Sequence, residues 1–515
     1  MPAKYKTLRL ILGDQLNSQH TWFQKPNDDI LYLMAEMHQE SEYVTHHIQK
    51  IVGFFSAMRA FAASLKKAGH AVHYIKITDP DARLPLSELL TKHLLSIKAV
   101  AFEYQLPDEY RLDQQLQQFS QTSQWECNST DTGHFMSDRM MLRGMFPGSK
   151  SPLMETFYRA MRKRYGILME PNGKPEGGKW NYDAENRQRY SGKESLPPLL
   201  EWKNDCTEVY QDIKHAGLKH FGKIDPSAFE WPVNRQQSID VLDHFCRYAL
   251  TLFGRYQDAM HTDDWLLFHS RVSFSMNIKM ISPSEVIESA VATYRHSKGK
   301  ISLPQIEGFV RQILGWREYM RGIYWGWMPE FSKLNFLDHQ RKLPSWFWSG
   351  DTKMNCLQHA IQQSLDKAYA HHIQRLMVTG NFALLAGIHP DEVDQWYLGI
   401  YIDAIEWVEI TNTRGMSQFA DGGIVGTKPY VSSANYIGKM SNYCKSCHYD
   451  ADLKTGDRSC PFNSLYWNFY ELHRDKFERN PRIGMMYRIL DKMSGDQRAA
   501  LLEQADHYLK HIEDL

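Results

Sequence analysis

The sequence lacks an apolar run long enough to cross a bilayer, and it lacks an excess of either charge. Its 60 Lys and Arg balance 60 Asp and Glu, so there is no overall basic field and any DNA contact must rest on a local patch. We expect no secretory leader, because Pro2, Ala3 and Lys4 lead directly into a predicted strand. The seven cysteines show no disulfide framework, which indicates a reducing cytoplasm.

What the sequence does contain is length and aromatic side chains. Its 515 residues suffice for two or three domains with a large buried core. Aromatics make up 13% of the residues, including 14 Trp, which indicates stacking surfaces for planar ligands or electron-hopping sites. Plain core filling is the alternative explanation for most of them.

The first 135 residues show the rhythm of an open α/β sheet. Short apolar runs that suit buried parallel strands occupy 7–13, 30–36, 71–77 and 98–104. The clearest helical stretch between them, 51–68, ends at Gly69 as a helix C-terminus should. We therefore predict a doubly wound, Rossmann-like α/β domain over 1–135.

Ligands of such sheets bind beyond the carboxyl ends of the strands. The polar residues at these ends are Asp14, Gln15 and Glu36. On this pattern alone, solvated loop positions explain them better than a ligand site does.

The remaining chain divides into a connector over 136–235 and an all-helical domain over 236–515. The connector holds the most basic short run, 159–164, which is either a solvated helix face or a phosphate contact, followed by Trp180 between glycines and Asn181. Helical periodicity predicts helices at 237–252, 284–297, 304–321, 356–377, 391–400 and 463–478.

Four cysteines of the helical part form a candidate metal centre. Cys444 and Cys447 share one turn, and Cys460 follows a polar loop and precedes Pro461. Cys356 is the best fourth ligand, because its surroundings are rich in aromatics and histidine. Four thiolates suit zinc or an iron–sulfur cluster, and the Cys-Pro pair favours the cluster. The alternative is a disulfide or inert core thiols, although a disulfide within the turn would leave Cys460 unpaired.

Three further segments carry groups suited to binding or catalysis. Small hydroxyls beside an arginine suit a diphosphate, as in Ser270, Arg271, Ser273 and Asn277. Adjacent His371 and His372 point to different helix faces, so one can face a cavity as a proton donor. Polar groups over 403–414 could hydrogen-bond the edge of a heterocycle, and Tyr430 is a candidate second acid.

Taken in order, four motifs and the cysteines resemble one family. The motifs are Leu-Ile-Leu-Gly-Asp-Gln-Leu (10–16), Ser-Arg-Val-Ser (270–273), Gly-Trp-Arg-Glu (315–318) and Ala-His-His-Ile-Gln-Arg-Leu-Met (370–377). With Cys356, Cys444, Cys447 and Cys460 they look like the iron–sulfur bacterial cryptochromes and photolyases, the prokaryotic (6-4) photolyases. The resemblance covers essentially the whole chain.

The resemblance implies an α/β antenna domain and an all-α FAD-binding domain. It further implies folded-back FAD, a [4Fe–4S] cluster held by the four cysteines, a 6,7-dimethyl-8-ribityllumazine antenna, and Mg2+ as a candidate cofactor for activity. Asp14, Gln15 and Glu36 then gain a role at the lumazine, which reverses the preference for solvated loop positions. The other implied cofactor contacts are Ser270, Arg271, Ser273, Asn277, Arg317 and Glu409.

The resemblance also implies the chemistry and the partner. Trp396, Trp348 and Tyr397 would pass electrons to the flavin, and His372 would face the lesion with His371 and Tyr430 in support. The substrate would be a flipped-out (6-4) photoproduct in double- or single-stranded DNA, repaired by a cytoplasmic, nucleoid-associated monomer. Two alternatives stay open at this point, a blue-light receptor with the same cofactors and a zinc-stapled nucleic-acid-binding module.

Overall fold

The computed structural model describes residues 5–515, and the first four residues, on which the expectation of no leader rests, lie outside that range. A five-stranded sheet occupies the first 130 residues, and every pairing in it is parallel. The strand order is β4-β2-β1-β5-β6, which is that of a doubly wound sheet. A separate two-stranded pair joins β3 and β7. The strands are β1 Thr7–Leu10, β2 Ile30–Ala35, β3 His46–His47, β4 Ala71–Ile75, β5 Ala101–Gln105, β6 Glu126–Thr130 and β7 His220–Phe221.

The central strands form because their side chains are apolar on both faces. In β2, all residues from Ile30 to Met34 are buried, as expected for a strand with helices on both sides. Register pairs Leu8 with Leu31 on one side and with Phe102 on the other. The edge strand β6 is polar and largely exposed, so it has none of the apolar run that predicts the other four.

The chain after β6 is helical apart from short pairings. Four helices contain a π-helical turn, at Phe245–Ala249, Arg311–Arg317, Arg375–Gly380 and Thr411–Ser417. Such turns are frequent at functional sites.

The α-helices of the sheet region are α1 His38–Ser41, α2 Ile48–Lys67, α3 Leu86–Ile97 and α4 Tyr110–Thr122. The later ones are α5 Met141–Met145, α6 Met154–Tyr165, α7 Thr207–Ala216, α8 Arg235–His244, α9 Leu250–Tyr256, α10 Ser273–Asn277, α11 Pro283–His296, α12 Leu303–Val310, α13 Glu318–Trp327, α14 Asn355–Lys367, α15 His372–Gln374, α16 Asn381–Ala386, α17 Pro390–Ile400, α18 Glu406–Ile410, α19 Ala434–Met440, α20 Pro461–Leu472, α21 Arg474–Phe477, α22 Gly484–Asp491 and α23 Gly495–Lys510. The 3₁₀ turns are Thr21–Phe23, Pro80–Arg83, Glu176–Gly178, Asp183–Glu185, Glu330–Lys333, Ser345–Trp348, Tyr443–Ser446 and Ile512–Asp514.

The single helix predicted over 356–377 is wrong. Helix α14 ends at Lys367, and Ala368 has the left-handed backbone with φ of 51°. Its carbonyl accepts a hydrogen bond from the backbone N–H of Ile402, 2.9 Å away, so tertiary contact stabilises the break. His371 is therefore the extended residue before α15, and His372 is the first residue of that helix. The two histidines do not share one continuous helix as expected.

The sheet region and the helical region pack on each other through α2. The amine of Lys50 donates to the carbonyl of Leu398 at 2.7 Å, and the ring of His47 contacts the carbonyl of Leu365 at 2.8 Å. At Gly53, an added Cβ would lie 3.0 Å from Ile402 Cδ1, so the absence of a side chain permits the close approach. Between residues 5 and 515 no helix is both long and apolar enough to span a membrane.

Candidate active site

A buried polar cluster joins the Ser270–Asn277 motif to the helical core, and Asp403 lies at its centre. The hydroxyl of Ser273 donates to Asp403 Oδ2 at 2.6 Å, and the amide of Asn277 donates to the Asp403 carbonyl at 2.7 Å. Arg375 Nη2 donates to both carboxylate oxygens, at 2.9 and 3.1 Å. The π-helical turn that begins at Arg375 places this guanidinium at the cluster. Arg375 is not among the predicted site residues, because a single arginine in a helix carries no distinguishing sequence signal.

Arg271 forms no ion pair with any carboxylate of residues 5–515. It has a left-handed φ of 58°, and its Nη2 donates to the carbonyls of Leu200 and Glu230 at 3.3 and 3.2 Å. Its guanidinium lies over the rings of Trp231 and Trp265. Burial lowers the pKa of Arg271 to about 10. A buried cation of this kind fits an anionic ligand such as a diphosphate.

Arg317 and Glu409 each have buried polar atoms without a hydrogen-bond partner in residues 5–515. Within the described chain, the buried Arg317 Nε and Nη1, Glu409 Oε1 and Trp407 Nε1 have no hydrogen-bond partner. Arg317 lies over the Trp407 ring at 5.0 Å and donates to His134 Nε2 at 3.0 Å. Burial raises the pKa of the Glu409 carboxyl well above its ordinary value, which favours the protonated form, and a protonated carboxyl can donate a hydrogen bond. Because buried polar groups are normally paired, these residues fit a polar heterocycle such as flavin.

The predicted antenna residues differ in how many hydrogen bonds their side chains already make within the protein. Glu36 is saturated, since its oxygens accept from Arg59 Nε at 2.7 Å, Arg59 Nη2 at 2.9 Å, the Tyr74 hydroxyl at 2.7 Å and the Ile77 N–H at 2.8 Å. Gln15 Oε1 accepts from the Leu12 N–H, and its Nε2 donates to the Gln105 carbonyl.

Asp14 pairs with a buried lysine instead. Lys279 Nζ lies 2.7 Å from an Asp14 oxygen and 2.9 Å from an Asp108 oxygen. Nearby, both side-chain atoms of Gln105 together with Thr132 Oγ1 and His134 Nδ1 are buried and lack a partner within residues 5–515. These three residues, which the sequence did not single out, add polar groups that a bound antenna could satisfy.

The two histidines lie in different environments. His371 is buried, its ring stacks on His269 with centroids 4.2 Å apart, and neither of its nitrogens has a partner among the described residues. His372 is exposed, yet desolvation is the main cause that lowers its pKa to about 4, with the charge of Arg375 next. Tyr430, the predicted second acid, is half-buried.

Of the predicted electron-transfer residues, Trp396 and Tyr397 lie in the interior and Trp348 lies at the surface. Trp396 is completely buried, and its ring centroid lies 5.3 Å from that of Tyr397. The Tyr397 hydroxyl donates to the Arg375 carbonyl at 2.6 Å, which places it beside the Asp403 cluster. Trp348 is 46% exposed and adjoins Phe347, whose ring lies 5.1 Å from that of Trp396. The arrangement suits stepwise transfer of an electron from solvent towards the buried cluster.

The four predicted metal-binding cysteines line one small cavity. Between residues 5 and 515 every cysteine is free, so the disulfide alternative is wrong. No three His, Cys, Asp or Glu side chains of this described range group closely enough to hold a single ion. Four sulfurs around one cavity fit zinc or an iron–sulfur cluster. We name this space the cysteine cavity.

The basic run over 159–164 is divided by the fold. Arg162 is fully buried and donates to the carbonyls of Ile167, Leu168 and Trp180, so it holds the following turn together. Arg159, Lys163 and Arg164 are exposed. Trp180 and Trp316 are half-buried. Part of the run is thus available to phosphates, and part of it is structural.

Comparison with known proteins identifies first the fold and then the family. Solved structures with this fold include a bacterial class III photolyase from Agrobacterium tumefaciens, with a TM-score of 0.57 and 14% identity over 85% of this chain and 84% of that one. A cryptochrome of Synechocystis sp. PCC6803 gives 0.56 and 10% over 85% and 87%. The architecture is therefore that of photolyases and cryptochromes.

Sequence similarity is more specific. Residues 9–230 match the family described as deoxyribodipyrimidine photo-lyase-related protein. A (6-4) photolyase of Agrobacterium fabrum (strain C58 / ATCC 33970) is 41% identical over 517 residues, covering 98% of this chain and 99% of that protein. The chain belongs to the (6-4) photolyase family. The resemblance inferred from the motifs and the predicted fold class are both confirmed. Members of the photolyase and cryptochrome families generally bind a flavin.

Proposed function

We propose that this chain is a (6-4) DNA photolyase, an enzyme that uses light to repair (6-4) pyrimidine–pyrimidone photoproducts. The observation that carries the proposal is the end-to-end similarity to a protein named a (6-4) photolyase. The exposed His372 supports it, because a repair enzyme needs a proton donor that the lesion can reach and a light sensor does not. This favours repair over the photoreceptor alternative.

FAD is the proposed main cofactor, held by the unsatisfied groups of the helical region. Arg271 and the Ser270 and Ser273 hydroxyls would hold the diphosphate and ribityl chain, with Asn277, Arg317 and Glu409 nearer the ring. Reduced FAD excited by blue light would supply the lesion with one electron and take it back after repair. The polar cluster at Asp403 sets the position of Ser273, Asn277 and Arg375 around that site.

His372 is the proposed proton donor to the lesion, with His371 and Tyr430 in support. In the free protein its pKa of about 4 leaves the ring neutral at neutral pH. Bound DNA brings phosphates, and nearby negative charge raises the pKa of a histidine. We therefore infer that lesion binding itself loads His372 with the proton that it donates.

The substrate has to leave the base stack, because the lesion inside a duplex is out of reach. The exposed cations Arg159, Lys163 and Arg164 would contact phosphates of double- or single-stranded DNA. The half-buried Trp316 would provide a surface for an unstacked base.

Further cofactors follow from the family resemblance and from the donor sets. The cysteine cavity would hold a [4Fe–4S] cluster, and a 6,7-dimethyl-8-ribityllumazine antenna would lie at the strand ends near Asp14, Gln15 and Glu36. Mg2+ is proposed to assist activity. We assign residues 1–135 to the antenna domain, 136–235 to the connector and 236–515 to the FAD and cluster domain. We also propose that the protein is a cytoplasmic, nucleoid-associated monomer.

The decisive experiment is a repair assay on oligonucleotides that carry a single (6-4) photoproduct, with reduced protein in light and in darkness. Light-dependent recovery of intact pyrimidines is expected. Purified protein that carries flavin and iron but gives no recovery would instead support the photoreceptor. Colourless protein, with zinc recovered, would support the nucleic-acid-binding module. Cyclobutane dimers and added EDTA, tested in parallel, report substrate range and the Mg2+ requirement.

A further inference from the structure

A pair of side-chain amides connects the histidine turn to the interior of the helical region. Gln374 is buried two residues after His372, and its Oε1 accepts a hydrogen bond from the His371 N–H at 3.1 Å. Its Nε2 donates to Gln363 Oε1 at 2.8 Å and to the Tyr443 hydroxyl at 3.2 Å. One side chain thus contacts both the turn that carries His372 and Tyr443.

The orientation of these amides follows from backbone groups at both ends. A backbone N–H can only donate, so the atom of Gln374 that faces His371 has to be its oxygen. Gln363 Nε2 faces the carbonyl oxygens of Tyr369 and Trp265, at 3.1 and 3.3 Å, and carbonyls can only accept. Both amides therefore have a single consistent orientation, in which Gln374 donates to Tyr443.

The consequence for Tyr443 is that its hydroxyl oxygen acts as an acceptor, which leaves the phenol proton for another partner. Tyr443 precedes Cys444, is 1% exposed and lines the cysteine cavity. Its ring stacks on His359 with centroids 5.5 Å apart, one turn along α14 from Cys356. Besides Tyr443 itself, the four cysteines and Tyr449, the cavity is lined by apolar side chains, and cysteine sulfur can accept a hydrogen bond.

We propose that Tyr443 and Gln374 form a link with two functions: Tyr443 donates a hydrogen bond to sulfur in the cysteine cavity, and Gln374 positions the turn that carries His372. Gln374 is a positioning residue, because it acts through the backbone of His371. The proposal deepens the function proposed above and rests on it for the role of His372. Through this link, the state of the cysteine cavity affects the geometry at the lesion.

The first test measures the cluster alone, without DNA or light. Donors to cluster sulfur stabilise the reduced, more negative state, so removing one lowers the reduction potential. Tyr443→Phe should shift the potential to a more negative value at unchanged iron and sulfide content. The matched control is Tyr466→Phe, which removes one hydroxyl from α20, where that group contacts Met486 instead. Equal potentials in Tyr443→Phe and the control would overturn the cluster half of the proposal.

The second test concerns the histidine turn. Gln374→Met keeps the length of the side chain but removes the acceptor for the His371 N–H. With enzyme reduced beforehand, the repair rate at saturating lesion should fall about tenfold with lesion affinity unchanged, since misplacement acts on the chemical step. The cluster potential should change as well, because Tyr443 loses its donor. Gln358→Met, on the exposed side of α14, is the control. An unchanged rate and potential in Gln374→Met would overturn the positioning role.

The two measurements separate failure of the link from failure of the proposed function. A wild-type protein without repair activity would contradict the proposed function, and the potential of Tyr443→Phe would still decide whether the cluster half holds. If Gln374→Met does not retain flavin, the repair rate of Tyr443→Phe tests whether the cysteine cavity affects the histidine turn. A decrease relative to Tyr466→Phe supports the link, and an equal rate overturns it.

Discussion

The residues predicted at the candidate sites of the sheet region and of the helical region differ in how far the protein pairs their polar atoms. At the strand ends, Glu36 makes four hydrogen bonds within the protein and Gln15 is also paired. In the helical region, polar atoms of Arg317, Glu409 and His371 are buried without partners among the described residues. Because unpaired buried groups cost free energy, Arg317, Glu409 and His371 depend more on a ligand than Glu36 and Gln15 do.

The largest expected effect is on the stability of the helical region. Cys356→Ser should lose iron and destabilise the protein by several kcal/mol, because the proposed cluster would tie α14 to the segment over 444–460. Hydrogen exchange should report faster exchange in α14 and α20 and unchanged protection in β1 and β2. Faster hydrogen exchange in both regions would contradict this difference between them. So would a variant that keeps its stability after losing iron. Cys246→Ser, at a buried cysteine outside the cavity, is the control.

Next in size is the loss of the proton donor. His372→Ala should reduce repair at least about 100-fold while flavin stays bound, which is the usual contribution of a positioned acid. Flavin content from absorbance and repair of the (6-4) oligonucleotide are the two measurements. Loss of flavin would show that His372 belongs to the cofactor cradle instead.

The pH dependence of His372 protonation tests the same proposed role as proton donor. Since desolvation lowers its pKa to about 4, the ring in free protein should gain its proton only as the pH falls through about 4, as followed by NMR. The lesion duplex should raise this midpoint, so the repair rate should decline as the pH rises through the raised value. A midpoint that does not move on DNA binding would contradict loading of the proton by the substrate.

A smaller effect is expected along the aromatic path. Trp396→Phe removes the buried indole between Phe347 and Tyr397, so photoreduction of oxidised flavin should slow by about tenfold or more. Repair by enzyme reduced beforehand should persist, because that reaction needs no electron from the surface. Equal losses in both assays would exclude Trp396 as a conduit.

The smallest effect is expected at the sheet. Glu36→Gln leaves Arg59 with a weaker partner, so stability should fall by about 1–3 kcal/mol. Antenna content, read from its absorbance, should depend more strongly on Asp14→Asn than on Glu36→Gln, because Glu36 is already saturated. Equal loss of antenna in both variants would show that Glu36 reorganises to bind it.

The sequence predicted those features that depend on local pattern. Continuous apolar runs located four of the strands, and the spacing of Cys444, Cys447 and Cys460 indicated a shared centre. The edge strand β6 was missed because an exposed edge needs no apolar residues. The break at Ala368 was also missed, since alanine favours helix and the cause is a contact with Ile402, distant in the chain.

The candidate site shows the same division. Residue types suited to FAD, to a proton donor and to thiolate ligation can be recognised along the chain. Their partners cannot, because the ion pair of Lys279 with Asp14 and Asp108 joins segments that only the fold brings together. The π-helical turns that place Arg317 and Arg375 likewise have no characteristic amino-acid pattern by which the sequence could reveal them.

The buried side chain of Arg162 has a consequence for how DNA affinity varies with ionic strength. Each phosphate neutralised on duplex DNA contributes about −0.9 to the slope of log affinity against log salt concentration. Because Arg162 binds three main-chain carbonyls, only Arg159, Lys163 and Arg164 of this run can displace counterions. The run then contributes a slope of at most about −2.7 rather than about −3.6. A helix that looks strongly cationic in the sequence thus releases one ion fewer than its charge suggests.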